Sequence, residues 1–243
     1  MTSASTSRCD ANRPAEAATA VRSGSEPARG CLPLVSFTVR LVLASASPAR
    51  LAVLRAAGVD PVVRVSGVDE DAVAATLPGA TPAQLVTTLA WAKTNAVAAD
   101  IAAEYPDAVV VGCDSMLHVG DELIGKPRCA DAALRRWQAM AGGTGTLLTG
   151  HAVARLTDGA VTATASGTET TLIRFGTPSA AELAAYVGSG EPLHVAGGFT
   201  LDGRGGWFVN GVDGDPSSVI GISLPLTRRL LAEVGVPVVS LWS

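Results

Sequence analysis

The sequence predicts a mixed α/β fold, and three observations support that prediction. Strand-like and helix-like segments alternate early in the chain, which is the pattern of α/β proteins. An antiparallel β-meander, "TLLTGHAVARLTDGAVTATASGTETTLIRF", follows and turns at Asp158-Gly159. Of the 243 residues, 48% are hydrophobic and only 4% are aromatic, so the chain can build a sizeable core, mainly from Ala, Val and Leu.

The sequence divides into an N-terminal extension and one domain. Residues 1–36 are rich in Ser, Ala, Arg and Pro without an apolar period, so we interpret them as a disordered or mis-called N-terminal extension. Residues 37–243 form the predicted domain, which begins with the strand "FTVRLVLAS". In the following helix, "SASPARLAVLRAAGV", Ser47 suits the N-cap, Pro48 the first turn and Gly58 a left-handed C-terminal cap.

The middle of the domain continues this alternation. The strand "PVVRVSGV" runs into an acidic cluster at residues 69–71, and "TPAQLVTTLAWAKTNAVAADIAAEY" predicts a long helix capped by Thr81 and Pro82. Residues 108–125 predict a hairpin, and "ADAALRRWQAMAGG" a helix. After the meander we expect the helix "SAAELAAYVG", a Gly-rich segment over 196–214, a last strand and the helix "PLTRRLLAEVG".

Composition excludes several classes of protein. The net charge of −4 gives no sign of a nucleic acid polymer as a partner. No run of eighteen apolar residues predicts a membrane span. The four cysteines form no CxxC pair and have no His at metal-ligand spacing, so we expect no zinc site and a reduced, cytoplasmic chain. A late signal peptide in "CLPLVSFTVRLVLASASPA" is disfavoured because Arg40 interrupts its apolar run.

Lysine is scarce, since the basic residues comprise 16 Arg and 2 Lys. The two lysines, Lys93 and Lys126, therefore mark positions where a compact ammonium is needed rather than a planar guanidinium. The alternative is chance retention at exposed positions.

The loop "SASPAR" joins a strand to a helix N-terminus, where free N–H groups favour phosphate. Ser45 and Ser47 add hydroxyl groups, and Arg50 adds a cation. Considered alone, this segment is better explained as an ordinary capped turn.

Two carboxylates are further candidates: Asp114 ends an apolar strand, and Glu70 lies in the acidic cluster. Both are candidate ligands of a divalent metal ion, and Asp114 is also a candidate proton acceptor. The alternative for Asp114 is an ordinary turn residue at a strand end, and the alternative for Glu70 is a position in a solvated acidic loop.

Other motifs are missing or uninformative. The segment "GGFTLDGRGGWFV" lacks the G-x-G-x-x-G spacing, and no G-x-x-x-x-G-K-[ST] loop occurs, so dinucleotide enzymes and P-loop NTPases are disfavoured. His118, His151 and His194 share no motif, and we interpret them as structural. The residues by themselves predict a cleft that binds a phosphorylated small molecule.

Seven segments in order resemble the Maf family of septum-formation-type nucleoside triphosphate pyrophosphatases over about residues 39–236. They are "LVLASASPARLAVLRAAGV", "VDED", "AWAKTNAVA", "VVGCDSMLHVGDELIGKP", "MAGGTGTLLTGHAV", "IRFGTPSAAELAAYVGSGEPLHVAGGF" and "GDPSSVIGISLPL". The resemblance implies a two-lobed fold with a central cleft, akin to inosine triphosphatases. It also implies hydrolysis of a nucleoside triphosphate to the monophosphate and pyrophosphate with Mg²⁺ or Mn²⁺.

The resemblance also assigns roles to individual residues. Asp114 would be the proton acceptor, and Glu70 would be a ligand of the metal ion. Ser45, Lys93 and Lys126 would be ligands of the substrate, most of them through its phosphates.

Departures from the family pattern leave the base preference open. Ala49, Ser115 and Asp202 occupy positions linked to base specificity, and Ser218 replaces an Asn that is usual in the family. Ala49, Asp202 and Ser218 favour the alternative function, a nucleotide-binding regulator of cell division without turnover. The oligomeric state, with a homodimer among the options, is also left open.

Overall fold

A seven-stranded mixed sheet organises the part of the chain described by the computed structural model, residues 39–243. The predicted N-terminal extension, residues 1–36, lies outside the described residues. The strands are β1 Arg40–Ala44, β2 Val62–Arg64, β3 Ala108–Val119, β4 Glu122–Ile124, β5 Thr144–Thr157, β6 Ala160–Phe175 and β7 Val209–Asp213. The helices are α1 Pro48–Ala56, α2 Glu70–Ala75, α3 Pro82–Ile101, α4 Ala130–Met140, α5 Ala180–Gly188, α6 Pro216–Ile220 and α7 Leu224–Glu233.

The strand order is β2-β1-β3-β5-β6-β7, and β4 pairs with β3. β1 pairs in parallel with β2 and with β3, whereas the other neighbours are antiparallel. This topology confirms the predicted mixed, partly antiparallel sheet. The meander of β5 and β6 turns at Asp158 and Gly159, which have φ angles of 51° and 75°, as a tight hairpin turn with two positive φ angles requires.

Both predicted ends of α1 and the predicted start of α3 are confirmed, whereas α3 ends at Ile101, four residues before the end of the predicted segment. Ser47 caps α1 by accepting a hydrogen bond from the Arg50 amide, Pro48 is its first residue, and Gly58 follows with a φ of 81°. Thr81 and Gln84 form a reciprocal capping box at the start of α3. These signals depend on residues within one turn of the helix, and the sequence therefore reveals them.

Two predictions about local structure are wrong. The predicted strand "PVVRVSGV" is limited to Val62–Arg64, and the acidic cluster after it begins α2, with Asp69 as the N-cap that accepts from the Ala72 amide. The last strand, β7, lies inside the Gly-rich segment, and α6 takes the place where that strand was expected. The reason is a short-range start signal, since Asp215 caps α6 and Pro216 is its first residue.

Hydrophobic clusters cover both faces of the sheet. One face of β1 and β3 packs against α3, and the opposite face packs against α1 and α7. A third cluster surrounds Trp137, whose ring makes edge-on contacts with Phe175, Tyr186 and Phe208. All the described residues belong to one compact unit, and the two-lobe division stays a prediction.

Helix α3 lies unusually close to the sheet because two strand residues are glycines. A Cβ atom at Gly112 would lie 2.4 Å from Thr94 Oγ1, and one at Gly150 would lie 2.3 Å from the Val86 carbonyl carbon and oxygen. Close approach of this kind is a recurrent reason for glycine within a strand. It brings α3, and Lys93 with it, against β3. No helix within residues 39–243 combines the length and apolar character needed to cross a membrane.

Candidate active site

The candidate site lies at a gap in strand pairing along one edge of β3. The register of β1 against β3 ends with Leu43 opposite Val111, and the register of β4 against β3 begins with Leu117 opposite Ile124. Residues 112–116 pair with β5 on the other edge only, within the described part of the chain. The gap therefore opens beyond the carboxyl end of β1, which is where ligands of α/β sheets bind.

Asp114 and Ser115 lie in this gap and point to opposite faces of the sheet, because side chains alternate along a strand. Asp114 is on the face that packs against α3, and its partner is Lys93. Ser115 is on the other face, where it contacts Arg50. A single strand thus serves two clusters of polar residues.

The cluster on the α3 face contains two carboxylates and one ammonium. Lys93 Nζ lies 2.6 Å from Asp114 Oδ1 and 2.6 Å from Glu70 Oε1. Lys93 and Asp114 are buried, whereas the Glu70 side chain is 48% exposed. The second oxygen of Asp114, Oδ2, is buried without a hydrogen-bond partner in the structure. The cluster carries a net charge of about −1 and leaves one buried carboxylate oxygen unsatisfied.

Burial raises the pKa of Asp114, and Lys93 and Arg50 oppose this rise while Glu70 adds to it. A carboxylate that has lost most of its solvation is a stronger base than an exposed one. The unpartnered Oδ2 atom is the part of Asp114 that is free to accept a proton or to bind a cation.

The α3-face cluster fits a divalent cation on chemical grounds. Its net negative charge would be balanced by a bound cation, and the buried Asp114 Oδ2, which has no hydrogen-bond partner, could bind that cation directly. Within residues 39–243, no group of three or more His, Cys, Asp or Glu side chains is placed to hold a metal by itself. Mg²⁺ commonly binds through one or two carboxylates and completes its shell with water and substrate phosphates. Glu70 and Asp114 suit that pattern.

The cluster on the opposite face is built around Arg50. Its guanidinium donates to the Gly221 carbonyl at 2.7 Å, to Ser45 Oγ at 3.1 Å and to Ser115 Oγ at 3.2 Å. A guanidinium has five N–H groups, so two are left for a ligand. No carboxylate within residues 39–243 forms a salt bridge with Arg50.

The loop before α1 reinforces this positive region. The Ser47 amide donates to Ser45 Oγ at 3.1 Å, which folds the loop against the guanidinium. Arg50 lies in the first turn of α1, where the helix dipole already favours an anion. A half-buried cation at a helix N-terminus, without an acidic partner in the described part of the chain, is suited to binding phosphate.

The Maf-like protein family model matches residues 40–234. The chain belongs to the Maf family. Its relatives include the nucleoside triphosphate pyrophosphatases of Saccharopolyspora erythraea and Nocardia farcinica. The first is 66% identical over 205 residues, which cover 84% of this chain and 97% of that protein. The second is 62% identical over 207 residues, which cover 85% of this chain and 98% of that protein. The predicted resemblance is confirmed, and the match lies within the predicted span of residues 39–236.

The Maf domain brings together most of the predicted site residues. Glu70, Lys93 and Asp114 meet on one face of β3. Ser45, Ser47, Arg50 and Ser115 are connected on the other face. The separation of these residues in sequence shows that the β1–β3 pairing and the packing of α3 assemble the site.

Three predicted residues are not part of these contacts. Lys126 is exposed after β4, Asp202 is exposed in the Gly-rich segment, and Ala49 is half-buried on α1. Within the described residues, none of the three forms a side-chain hydrogen bond or salt bridge with either cluster. Their assigned roles stay predictions.

Thr149 carries no motif that predicts a role, and His151 was expected to be structural. Both are fully buried on β5 of the Maf domain, next to β3. Thr149 Oγ1 lies 3.0 Å from Ser115 Oγ and donates to the Ser218 carbonyl at 3.2 Å. The signal that could have found them is the presence of two polar residues, two positions apart, in the otherwise apolar middle of a strand, residues 147–154.

His151 holds the backbone around Thr149. Its Nε2 accepts from the Ser223 amide at 2.8 Å, so the ring proton is on Nδ1, which donates to the Thr149 carbonyl at 3.0 Å. Burial lowers the pKa of His151 to about 4. The ring is therefore neutral at physiological pH, in keeping with a structural role.

Proposed function

We propose that this Maf domain hydrolyses the bond between the α- and β-phosphates of a nucleoside triphosphate, releasing the nucleoside monophosphate and pyrophosphate. The observation that carries the proposal is the opposite charge imbalance on the two faces of β3. Glu70 and Asp114 share a single ammonium, Lys93, and no carboxylate within residues 39–243 pairs with Arg50. A nucleoside triphosphate bound to a divalent cation supplies both missing charges.

The relatives support the same reaction. Proteins that are 53–66% identical to this chain over more than four-fifths of its length are named nucleoside triphosphate pyrophosphatases. These names agree with the predicted enzyme class. They do not specify which base the substrate carries, or whether the nucleotide is a standard or a modified one.

Asp114 is the proton acceptor in the proposed reaction. A water oxygen attacks the α-phosphorus, the bond to the bridging oxygen breaks, and pyrophosphate leaves with the electron pair. The proton of the water passes to Asp114, whose unpartnered Oδ2 is available and whose pKa is raised by burial.

Lys93 positions the acidic groups in this scheme. Its ammonium contacts Asp114 and Glu70 at 2.6 Å each, which uses two of its three N–H groups and leaves one for a phosphate oxygen. Maf-family pyrophosphatases generally depend on a divalent metal ion. Glu70 and Asp114 would hold Mg²⁺ or Mn²⁺, which when bound neutralises phosphate charge and polarises the phosphorus.

The departing pyrophosphate carries the largest charge that the site must stabilise. Arg50, with two unused N–H groups, and the amide-rich end of α1 at Ser47 supply fixed positive charge for it. Ser45 Oγ accepts a hydrogen bond from the Arg50 guanidinium and so orients it. Lys126 is the remaining candidate phosphate ligand, and its exposed position leaves it free to reach a bound substrate.

A pyrophosphate-release assay tests the proposed function. The wild-type protein is incubated with standard and modified nucleoside triphosphates in the presence of Mg²⁺ or Mn²⁺. We expect release of one pyrophosphate per nucleotide for at least one substrate, and a loss of at least 100-fold in kcat for Asp114→Asn. A circular dichroism spectrum equal to that of the wild type shows that the variant is folded.

Two outcomes would contradict the proposal. Near wild-type turnover by Asp114→Asn removes Asp114 as the proton acceptor. Tight nucleotide binding without turnover of any substrate instead supports the alternative, a nucleotide-binding regulator of cell division. The lack of a nucleic acid partner and a cytoplasmic location remain predictions of the sequence, and the oligomeric state, with a homodimer among the options, remains open.

A further inference from the structure

A row of hydrogen-bonded groups runs from the site into the core. The Arg50 guanidinium donates to Ser115 Oγ at 3.2 Å, Ser115 Oγ lies 3.0 Å from Thr149 Oγ1, and Thr149 Oγ1 donates to the carbonyl of Ser218 at 3.2 Å. Thr149 and Ser218 are fully buried, whereas Ser115 is half-buried.

The two ends of this row fix the roles of its first and last groups. A guanidinium can only donate, and a carbonyl oxygen can only accept. Thr149 has one hydroxyl proton, which goes to the Ser218 carbonyl. Thr149 can therefore only accept from Ser115, and the Ser115 proton points to Thr149.

Within residues 39–243, the Ser218 carbonyl depends on Thr149 for its hydrogen-bond donor. The amide of Ile222, which would be its donor in a continued helix, bonds to the Ser217 carbonyl instead, as does the amide of Gly221. A buried carbonyl without a donor costs roughly 1–3 kcal/mol. This cost disfavours the reverse arrangement, in which Thr149 would donate to Ser115.

Ser115 consequently has no proton left for a ligand. One of its lone pairs accepts from Arg50, and its proton is given to Thr149. The remaining lone pair can only accept. A deprotonated phosphate oxygen is also only an acceptor, so it is a poor partner for Ser115. The nucleoside part of the substrate carries the donors that fit, as N–H groups of the base or O–H groups of the sugar.

We propose that Thr149 is a positioning residue that sets the direction of the Ser115 hydroxyl, so that Ser115 accepts a hydrogen bond from the nucleoside part of the substrate. This inference rests on the proposed function. The position of Thr149 is itself fixed by His151, which donates to the Thr149 carbonyl and accepts from the Ser223 amide.

Binding of non-hydrolysable nucleotides tests the inference. The α,β-methylene analogues of ATP, GTP, CTP and UTP and of their 2′-deoxy forms are titrated calorimetrically into the wild type, Thr149→Val and Thr149→Ser. Thr149→Val removes the acceptor for the Ser115 proton, and Ser115 can then donate to the ligand. We expect the ratio of the tightest to the weakest Kd to change about tenfold in this variant. Thr149→Ser keeps the hydroxyl and should keep the ratio within about threefold.

The pattern of the change identifies the donor. A change confined to the ratio of ribose to deoxyribose analogues assigns it to a sugar hydroxyl, and a change among bases assigns it to the base. In the Ser115→Ala background, Thr149→Val should alter neither ratio further, because its effect passes through Ser115.

A purely structural role for Thr149 predicts a different result. Thr149→Val would then weaken all analogues by the same factor, or would act equally in the Ser115→Ala background, and either result overturns the inference. Selective binding without pyrophosphate release contradicts the proposed function and leaves the inference standing. Failure of the wild type to bind any analogue overturns both.

Discussion

Replacement of His151 by Gln is predicted to remove a large part of the acid sensitivity of the fold. His151 is fully buried, and its neutral ring accepts a hydrogen bond from the Ser223 amide. Protonation of Nε2 would break that bond and place a charge in the core. Its pKa is therefore lowered from an unperturbed 6.5 to about 4, chiefly by burial.

The sign and size of the effect follow from proton linkage. Between these two pKa values the unfolded chain binds a proton at His151 and the folded chain does not, so stability falls as the pH falls. A full loss of about 3 kcal/mol follows from ~1.4 kcal/mol per pKa unit. Roughly 2 kcal/mol of this loss occurs between pH 7.5 and pH 5.

Urea unfolding followed by circular dichroism at pH 7.5, 6 and 5 provides the measurement. Other titrating groups change stability over the same range, so the quantity of interest is the difference between the wild type and His151→Gln. Gln keeps a donor and an acceptor but does not titrate. We expect the wild type to lose about 2 kcal/mol more than the variant on going from pH 7.5 to pH 5. Equal losses in the two proteins, with equal m-values, would refute the reasoning.

Two further predictions concern packing and phosphate binding. Gly150→Ala should lower the free energy of unfolding by about 3 kcal/mol or more, because the new Cβ would lie 2.3 Å from the Val86 backbone. Gly188→Ala, where no atom lies within 4 Å, is the control, and similar urea midpoints for the two variants would contradict the packing argument. Lys126→Arg should reduce kcat/KM for pyrophosphate release about tenfold or more, since a planar guanidinium cannot replace a compact ammonium. Unchanged kinetics, as expected for the exposed Arg135→Lys control, would show that Lys126 is not retained for chemistry.

Sequence reasoning was most successful where the signal is local. The start of α1 at Ser47 and Pro48, the capping box of α3 and the turn at Asp158-Gly159 were all visible in a few neighbouring residues. The same reasoning overlooked the Asp215-Pro216 start of α6, although that signal is equally local. The apolar residues of this segment are no guide either, because a short apolar run does not distinguish a strand from a helix.

Site prediction succeeded for residue types and was incomplete for contacts. Asp114, Lys93 and Glu70 were singled out separately, and the structure joins them through one ammonium. Thr149 carries no motif, and its contact with Ser115 depends on the register of β5 against β3. Register is set by long-range pairing, which one sequence does not display.

The sequence by itself determined the mixed α/β class, the starts of α1 and α3, the meander and the identity of the residues with the chemistry. These features arise from propensity, capping and alternation, which act over a few residues. Only the tertiary structure decided that Asp114 and Ser115 serve opposite faces of β3. It also decided that, among the residues from 39 onward, Lys93 has two acidic partners and Arg50 has none. Charge balance depends on which distant residues the sheet and α3 bring within about 4 Å, because electrostatic and hydrogen-bond energies are set by distance in space rather than along the chain.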